Sequence, residues 1–134
     1  MPNAPSSSAR PSQVAHFRVQ IGDKELAIHS VSTLHDLIAS EADPALRMTI
    51  TLRRAVGADR FLFRWYRDTT LGKNTATPLT IMLLDGADGE IVNRFGLENA
   101  QPVRWSGPFL DAQADAIAME EIEVRYDAVH WLEP

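Results

Sequence analysis

The sequence contains no cysteine, which excludes disulfides and thiolate metal sites. It leaves the redox compartment open. Long apolar runs are missing too. The longest stretch without a charge, Asn74 to Leu84, falls far short of the roughly 20 apolar residues that a membrane helix needs, so no membrane insertion is expected. The N-terminus lacks an apolar core, so no secretory signal is expected. There is no basic excess: 13 Lys and Arg stand against 18 Asp and Glu, for a net charge of −5 and a pI near 5.3. That argues against sequence-independent capture of a nucleic-acid backbone, and no specific nucleic-acid binding is expected. Neither a Gly-rich phosphate cradle nor a nucleophile elbow is present. The histidines His16, His29, His35 and His130 include no pair at the i, i+4 spacing of a helical metal site, and no metal or other cofactor is expected. No internal repeat is visible.

What remains is an ordinary globular composition, 45% apolar and 23% charged over 134 residues, enough for one domain with one core. Residues 1–13, rich in Pro, Ser and Ala, cannot bury enough surface to offset their ordering entropy. They read as a flexible arm before a domain of residues 14–134.

Alternation of apolar and polar residues predicts strands. Phe17, Val19 and Ile21 share one face, and Gly22-Asp23-Lys24 reads as a turn, with Leu26 to Val31 returning as a hairpin arm. Ser32 to Arg47 reads equally well as a short helix or an extended loop, with Pro44 ending any helix. Met48, Ile50 and Leu52 define another strand face. Asp59 then reads as the N-cap of a helix whose stripe is Phe61, Leu62, Trp65 and Tyr66, stopped near Gly72. Leu79–Leu84 and Ile91–Leu97, joined by Asp85–Gly89, form a hairpin. Gln101–Trp105 is a further short strand. Ile117 to Leu132 reads as one long strand, with Ile122, Val124, Tyr126 and Ala128 on one face and a bulge near Glu120 returning Ile117 and Met119 to the core. The sum is mainly β, an antiparallel barrel or sandwich with one flanking α-helix.

Candidate sites favour structure over chemistry. Asp85–Glu90 contains a fragment of a calcium loop, but the position where the bidentate glutamate belongs is Gly96, so a turn is favoured. Arg53, Arg54, Arg60, Arg64 and Arg67 form a basic cluster expected to pair with the acidic last strand. Glu120, Glu121 and Glu123 resemble an acid–base pair only as the polar face of a strand alternates. Trp105, Gly107 and Pro108, with Phe109, read as a structural corner.

Read in order, several of these segments resemble the tail-tube proteins of contractile phage tails and related injection systems. They are Phe17–Ile21, Ser30–Leu34, Ile50–Val56, Trp65–Asp68, Ile81–Gly89, Asn99–Pro108 and Ala118–Asp127. The resemblance implies a non-enzymatic structural subunit that assembles through its own copies into a hexameric ring of barrels around a channel. It implies sheath, baseplate and spike proteins as partners, assembly in the bacterial cytoplasm, and residence in a phage tail or injection particle. Phe17, Val19 and Ile21 on the first strand, and Ile122, Val124 and Tyr126 on the last, are the residues expected at the subunit interface. One departure stands out: where the family carries a long inter-ring hairpin, only Asp36 to Arg47 occupy the place. A tube-end, initiator or adaptor role is therefore the alternative. A monomeric β-barrel that holds a ligand in its interior is the competing class.

Overall fold

The computed structural model describes residues 16–35, 48–57, 59–86, 89–108, 112 and 117–133. The expected N-terminal arm and the shortened segment from Asp36 to Arg47 lie outside the described residues. In chain order the elements are β1 (Phe17–Ile21), β2 (Lys24–Leu26), β3 (Ser30–Val31), β4 (Thr49–Ala55), α1 (Phe61–Thr70), β5 (Thr77–Leu84), β6 (Ile91–Ser106), β7 (Met119–Arg125) and β8 (Ala128–Leu132).

Every strand pairing is antiparallel. The strands follow the order β2-β1-β5-β6-β7-β4-β3, with β8 added beside β6. The two ends of that path, β2 and β3, are consecutive in the chain. The four peptide steps from Leu26 to Ser30 span at most about 14 Å when fully extended. Two end strands tied this closely require the sheet to curl strongly, into a barrel whose seam between β2 and β3 is not hydrogen-bonded among the described residues. The predicted single return arm from Leu26 to Val31 is therefore two strands: β2 pairs back on β1, whereas β3 pairs with β4 on the far side of the seam.

β6 makes the curl practicable. It is 16 residues long, and its register slips against its neighbours at three points, beside Leu84, between Thr77 and Leu79, and between Pro102 and Arg104. Each slip places an extra residue on β6, bending the strand and adding twist. At the middle slip Asn99 takes a φ of 51°, a left-handed conformation that asparagine tolerates better than most residues. Pro102 has no amide to donate and sits beside the third slip, where a ladder bond is already lost. The strands expected at Ile91–Leu97 and Gln101–Trp105 are one bulged element.

The long final strand breaks instead. Tyr126 and Asp127 turn the chain, so that β7 pairs with β4 and the C-terminal half of β6, and β8 pairs with the N-terminal half. Asp127 and Glu98 lock the corner: the Asp127 amide donates to the Glu98 carbonyl at 2.9 Å. The predicted bulge near Glu120 is absent. The β4–β7 register runs unbroken from Thr49 opposite Arg125 to Ala55 opposite Met119, so Met119 lies on the outer face and Ile117 is exposed.

The barrel interior is apolar. Val19, Ile21, Ile50, Leu52, Leu79, Ile81, Leu97, Ile122 and Val124 point inward and are buried. α1 closes part of it with Leu62 and Trp65, each fully buried side chain of this kind contributing about 1.5–3 kcal/mol. The helix stops in a Schellman arrangement. Lys73 N–H bonds the Asp68 carbonyl at 3.1 Å and Gly72 N–H the Thr69 carbonyl at 3.0 Å, with Gly72 at a φ of 83°.

Candidate assembly surface

Period-two alternation brings a cation into the core face. On β4 the inward positions are Ile50, Leu52 and Arg54; on β7 they are Glu120, Ile122 and Val124. Arg54 and Glu120 are direct cross-strand partners and are only 7% and 5% exposed. A buried charge is tolerated when its partners are fixed, and these are. Arg54 Nε donates to Glu120 Oε2 at 3.1 Å, while Nη2 and Nη1 donate to Asp59 Oδ1 and Oδ2 at 2.5 and 3.3 Å. Glu120 Oε1 accepts the Trp105 indole N–H at 2.9 Å. Asp59 Oδ1 accepts the Phe61 amide at 3.0 Å. One network thus ties β4, β7, the end of β6 and the start of α1.

The electrostatics follow from those contacts. The Arg54 hydrogen bonds, with a smaller part from the Phe61 amide, pull Asp59 from its ordinary 3.8 down to about 2. Burial presses Arg54 downward, but its hydrogen bonds to Asp59 and Glu120 outweigh this and hold it above its ordinary range. Asp59 stands just before the helix cap, which is Arg60, rather than at the cap itself as expected.

Over this network lies an aromatic ridge. Phe63 is 39% exposed and meets Trp105 edge-on, ring centroids 4.9 Å apart. Gly107 underlies the indole: a Cβ there would stand 3.1 Å from Trp105 Cη2. With Pro108, which lines a groove together with Val56, Phe63 and Trp105, the Trp-Ser-Gly-Pro corner fixes how the ridge is presented. Phe109 lies outside the described residues. On the other flank Trp131 is 74% exposed, rests against Phe95 at 5.3 Å and donates to Asn93 at 2.9 Å. Beside it His130 contacts Glu98.

The expected interface side chains lie elsewhere. Val19, Ile122 and Val124 are fully buried, Ile21 and Tyr126 are nearly so, and Phe17 is half-buried against the core. Both β1 and β7 have a neighbour on each side. Side chains packed inside one protomer present no surface to another. The basic cluster divides. Arg53 pairs with Glu121 and Arg54 with Glu120, as expected, but Arg60, Arg64 and Arg67 are exposed on the helix. Alternation had already put Arg54 on the inner face with Ile50 and Leu52; its paired charge in the sequence masked that signal. Among the described residues no group of three His, Cys, Asp or Glu side chains has metal-binding geometry, and no helix is long and apolar enough to cross a membrane.

A curled antiparallel sheet with one helix on its flank is the fold class that the tail-tube resemblance implies. The sequence bears this out: residues 45–130 match the T4-like virus tail tube protein gp19 family, well over half of the chain, and the protein belongs to that family. No curated protein matches the sequence significantly. Among solved structures, it is similar to a chain in the sheath/tube terminator of an extracellular contractile injection system, PVC, in its extended state. The TM-score is 0.79 at 28% identity, over 92% of this chain and 97% of that one. A chain of the PVC sheath–tube complex superposes with a TM-score of 0.79 at 25% identity, over 99% and 100%. The tube-terminating cap of the anti-feeding prophage shares the fold, with a TM-score of 0.76 at 21% identity over 93% of both chains.

Proposed function

We propose that this chain is a structural subunit of the inner tube of a contractile phage tail or injection particle, building hexameric rings around a channel. The family match over residues 45–130 carries the reading, and the margins of β2, β3 and β8, which have no paired strand among the described residues, support it. A strand margin left open invites pairing with another chain, and a heterologous contact between copies closes into a ring when its rotation permits. Sheath and baseplate proteins of the same particle are the partners, by analogy with the PVC sheath–tube complex. The subunit is assembled in the bacterial cytoplasm and works without catalysis. The ring contact runs along β8, where Trp131 projects, rather than through the buried faces of β1 and β7.

A tube-terminating role is the second reading, favoured by the likeness to the PVC terminator at 28% identity. Light scattering with negative-stain imaging of the purified chain separates the readings. Hexameric rings that stack support the tube; single rings that cap a preformed tube support the terminator. A strict monomer that binds neither its own copies nor tube ends would defeat both and leave the ligand-binding barrel.

A further inference from the structure

The exposed side of α1 runs against the rest of the chain. Arg60, Arg64 and Arg67 are exposed, and their helical spacing gathers them into one stripe. Among the described residues none of the three side chains has a hydrogen bond or ion pair, whereas Arg18, Arg53, Arg54 and Arg104 are all paired with carboxylates. Arg60 stands at the helix N-cap and Arg64 one turn later, with no acid in the first turn. That is the positive end of the helix dipole, where cations are disfavoured. The helix dipole therefore gives no reason for Arg60 and Arg64, although it favours Arg67 in the last turn, and the chain as a whole is acidic, with a net charge of −5.

A complementary feature lies at the far end of the β5–β6 hairpin. α1 connects the end of β4 to the beginning of β5, so it sits where β5 starts. Asp85 and Glu90 flank the turn where β5 ends, eight residues away, or about 27 Å along an antiparallel strand. Both are exposed, and neither carboxylate has a partner among the described residues. One end of the hairpin is thus basic and the other acidic. Beside Arg60, the groove lined by Val56, Phe63, Trp105 and Pro108 adds an apolar floor that a protein surface can fill and a phosphate backbone does not use.

We infer that the arginine stripe of α1 docks head to tail onto the Asp85 and Glu90 end of a second copy of this chain. Opposite charges at opposite ends give a heterologous contact that repeats without closing, hence an axial stack. The inference rests on the assembly reading and specifies its axial contact.

Two charge-reversed full-length chains test it: R60E/R64E/R67E and D85K/E90K. Sedimentation velocity at low salt, and again near 1 M, where the screening length falls to roughly 3 Å, reads association. Circular dichroism confirms that both variants fold; every altered residue is exposed. Each variant alone is expected to associate at least about tenfold more weakly than the natural chain. An equimolar mixture is expected to recover association, and high salt to abolish it. Failure of the mixture to recover overturns the inference, as does undiminished association of the arginine variant. If the arginine variant instead loses binding to a short DNA duplex while self-association is unchanged, the stripe serves a polyanion and the inference is likewise overturned. Ring count by imaging is scored separately: six-membered rings that stack equally well in both variants would retain the tube reading and remove this one.

Discussion

Arg54 is the residue on which most of the local architecture converges, since its guanidinium meets Glu120 on β7 and Asp59 at the start of α1. Removing one partner leaves a buried charge uncompensated, so Glu120→Ala should cost about 3–5 kcal/mol, while the double change Arg54→Met, Glu120→Leu should cost far less. Chemical denaturation of both variants checks the contrast; equal losses would mean that the pair itself, rather than its imbalance, supplies the stability. Acid titrates the same network. The Asp59 carboxyl is depressed to about 2 in the folded chain from an ordinary 3.8. A folded value below the unfolded one means that the contribution is complete above about pH 4 and is lost as pH falls toward 2. Denaturation midpoints measured across that window should fall more steeply for the natural chain than for Asp59→Asn. Parallel curves would show that the contact has no such linkage.

At the scale of elements, the helix end gives the sharpest expectation. Gly72 holds a φ of 83°, and a Cβ added there would meet no atom within 4 Å, so the penalty of a side chain is conformational alone. Gly72→Ala should destabilise by about 1 kcal/mol, and Gly72→Asn by less, because asparagine tolerates the left-handed region. Thermal melts of the two variants order them; reversed order would argue against the Schellman stop. α1 itself was legible in the sequence, because the stripe of Leu62 and Trp65 is periodic and its stop is a glycine. The division of the C-terminal run into β7 and β8 was not, since Ile122, Val124 and Tyr126 alternate straight into Ala128. What breaks the strand is the bulge at Asn99 on the neighbouring β6, a distant partner in the chain, as the Glu98–Asp127 bond records.

For the whole molecule the question is where a second chain attaches. Trp131 is 74% exposed on β8, a strand paired on one side only among the described residues. Its contacts within the chain are the ring of Phe95 and the Asn93 side chain, the ring pair contributing about 0.5–1.5 kcal/mol beyond burial. On the ring assembly proposed above, Trp131→Ala should leave a folded barrel while shifting the mass distribution from rings to smaller species by light scattering. Intact rings in that variant would move the ring contact to the β2 and β3 margin.

By itself the sequence determined the class of fold, the helix α1, the first strand and the hairpin around Asp85, because each is written in local periodicity and turn chemistry that neighbouring residues carry alone. It also carried the family, through the order of its segments. The tertiary structure alone decided which faces are hidden. Alternation marks Val19, Ile122 and Val124 as apolar, but an apolar face serves a core or an interface equally well. Only the closing of the barrel, forced by the short tie between β2 and β3, consigns them to the interior. The same closure turns Arg54 and Glu120 inward as partners, and leaves the arginines of α1 and the tryptophan of β8 outside.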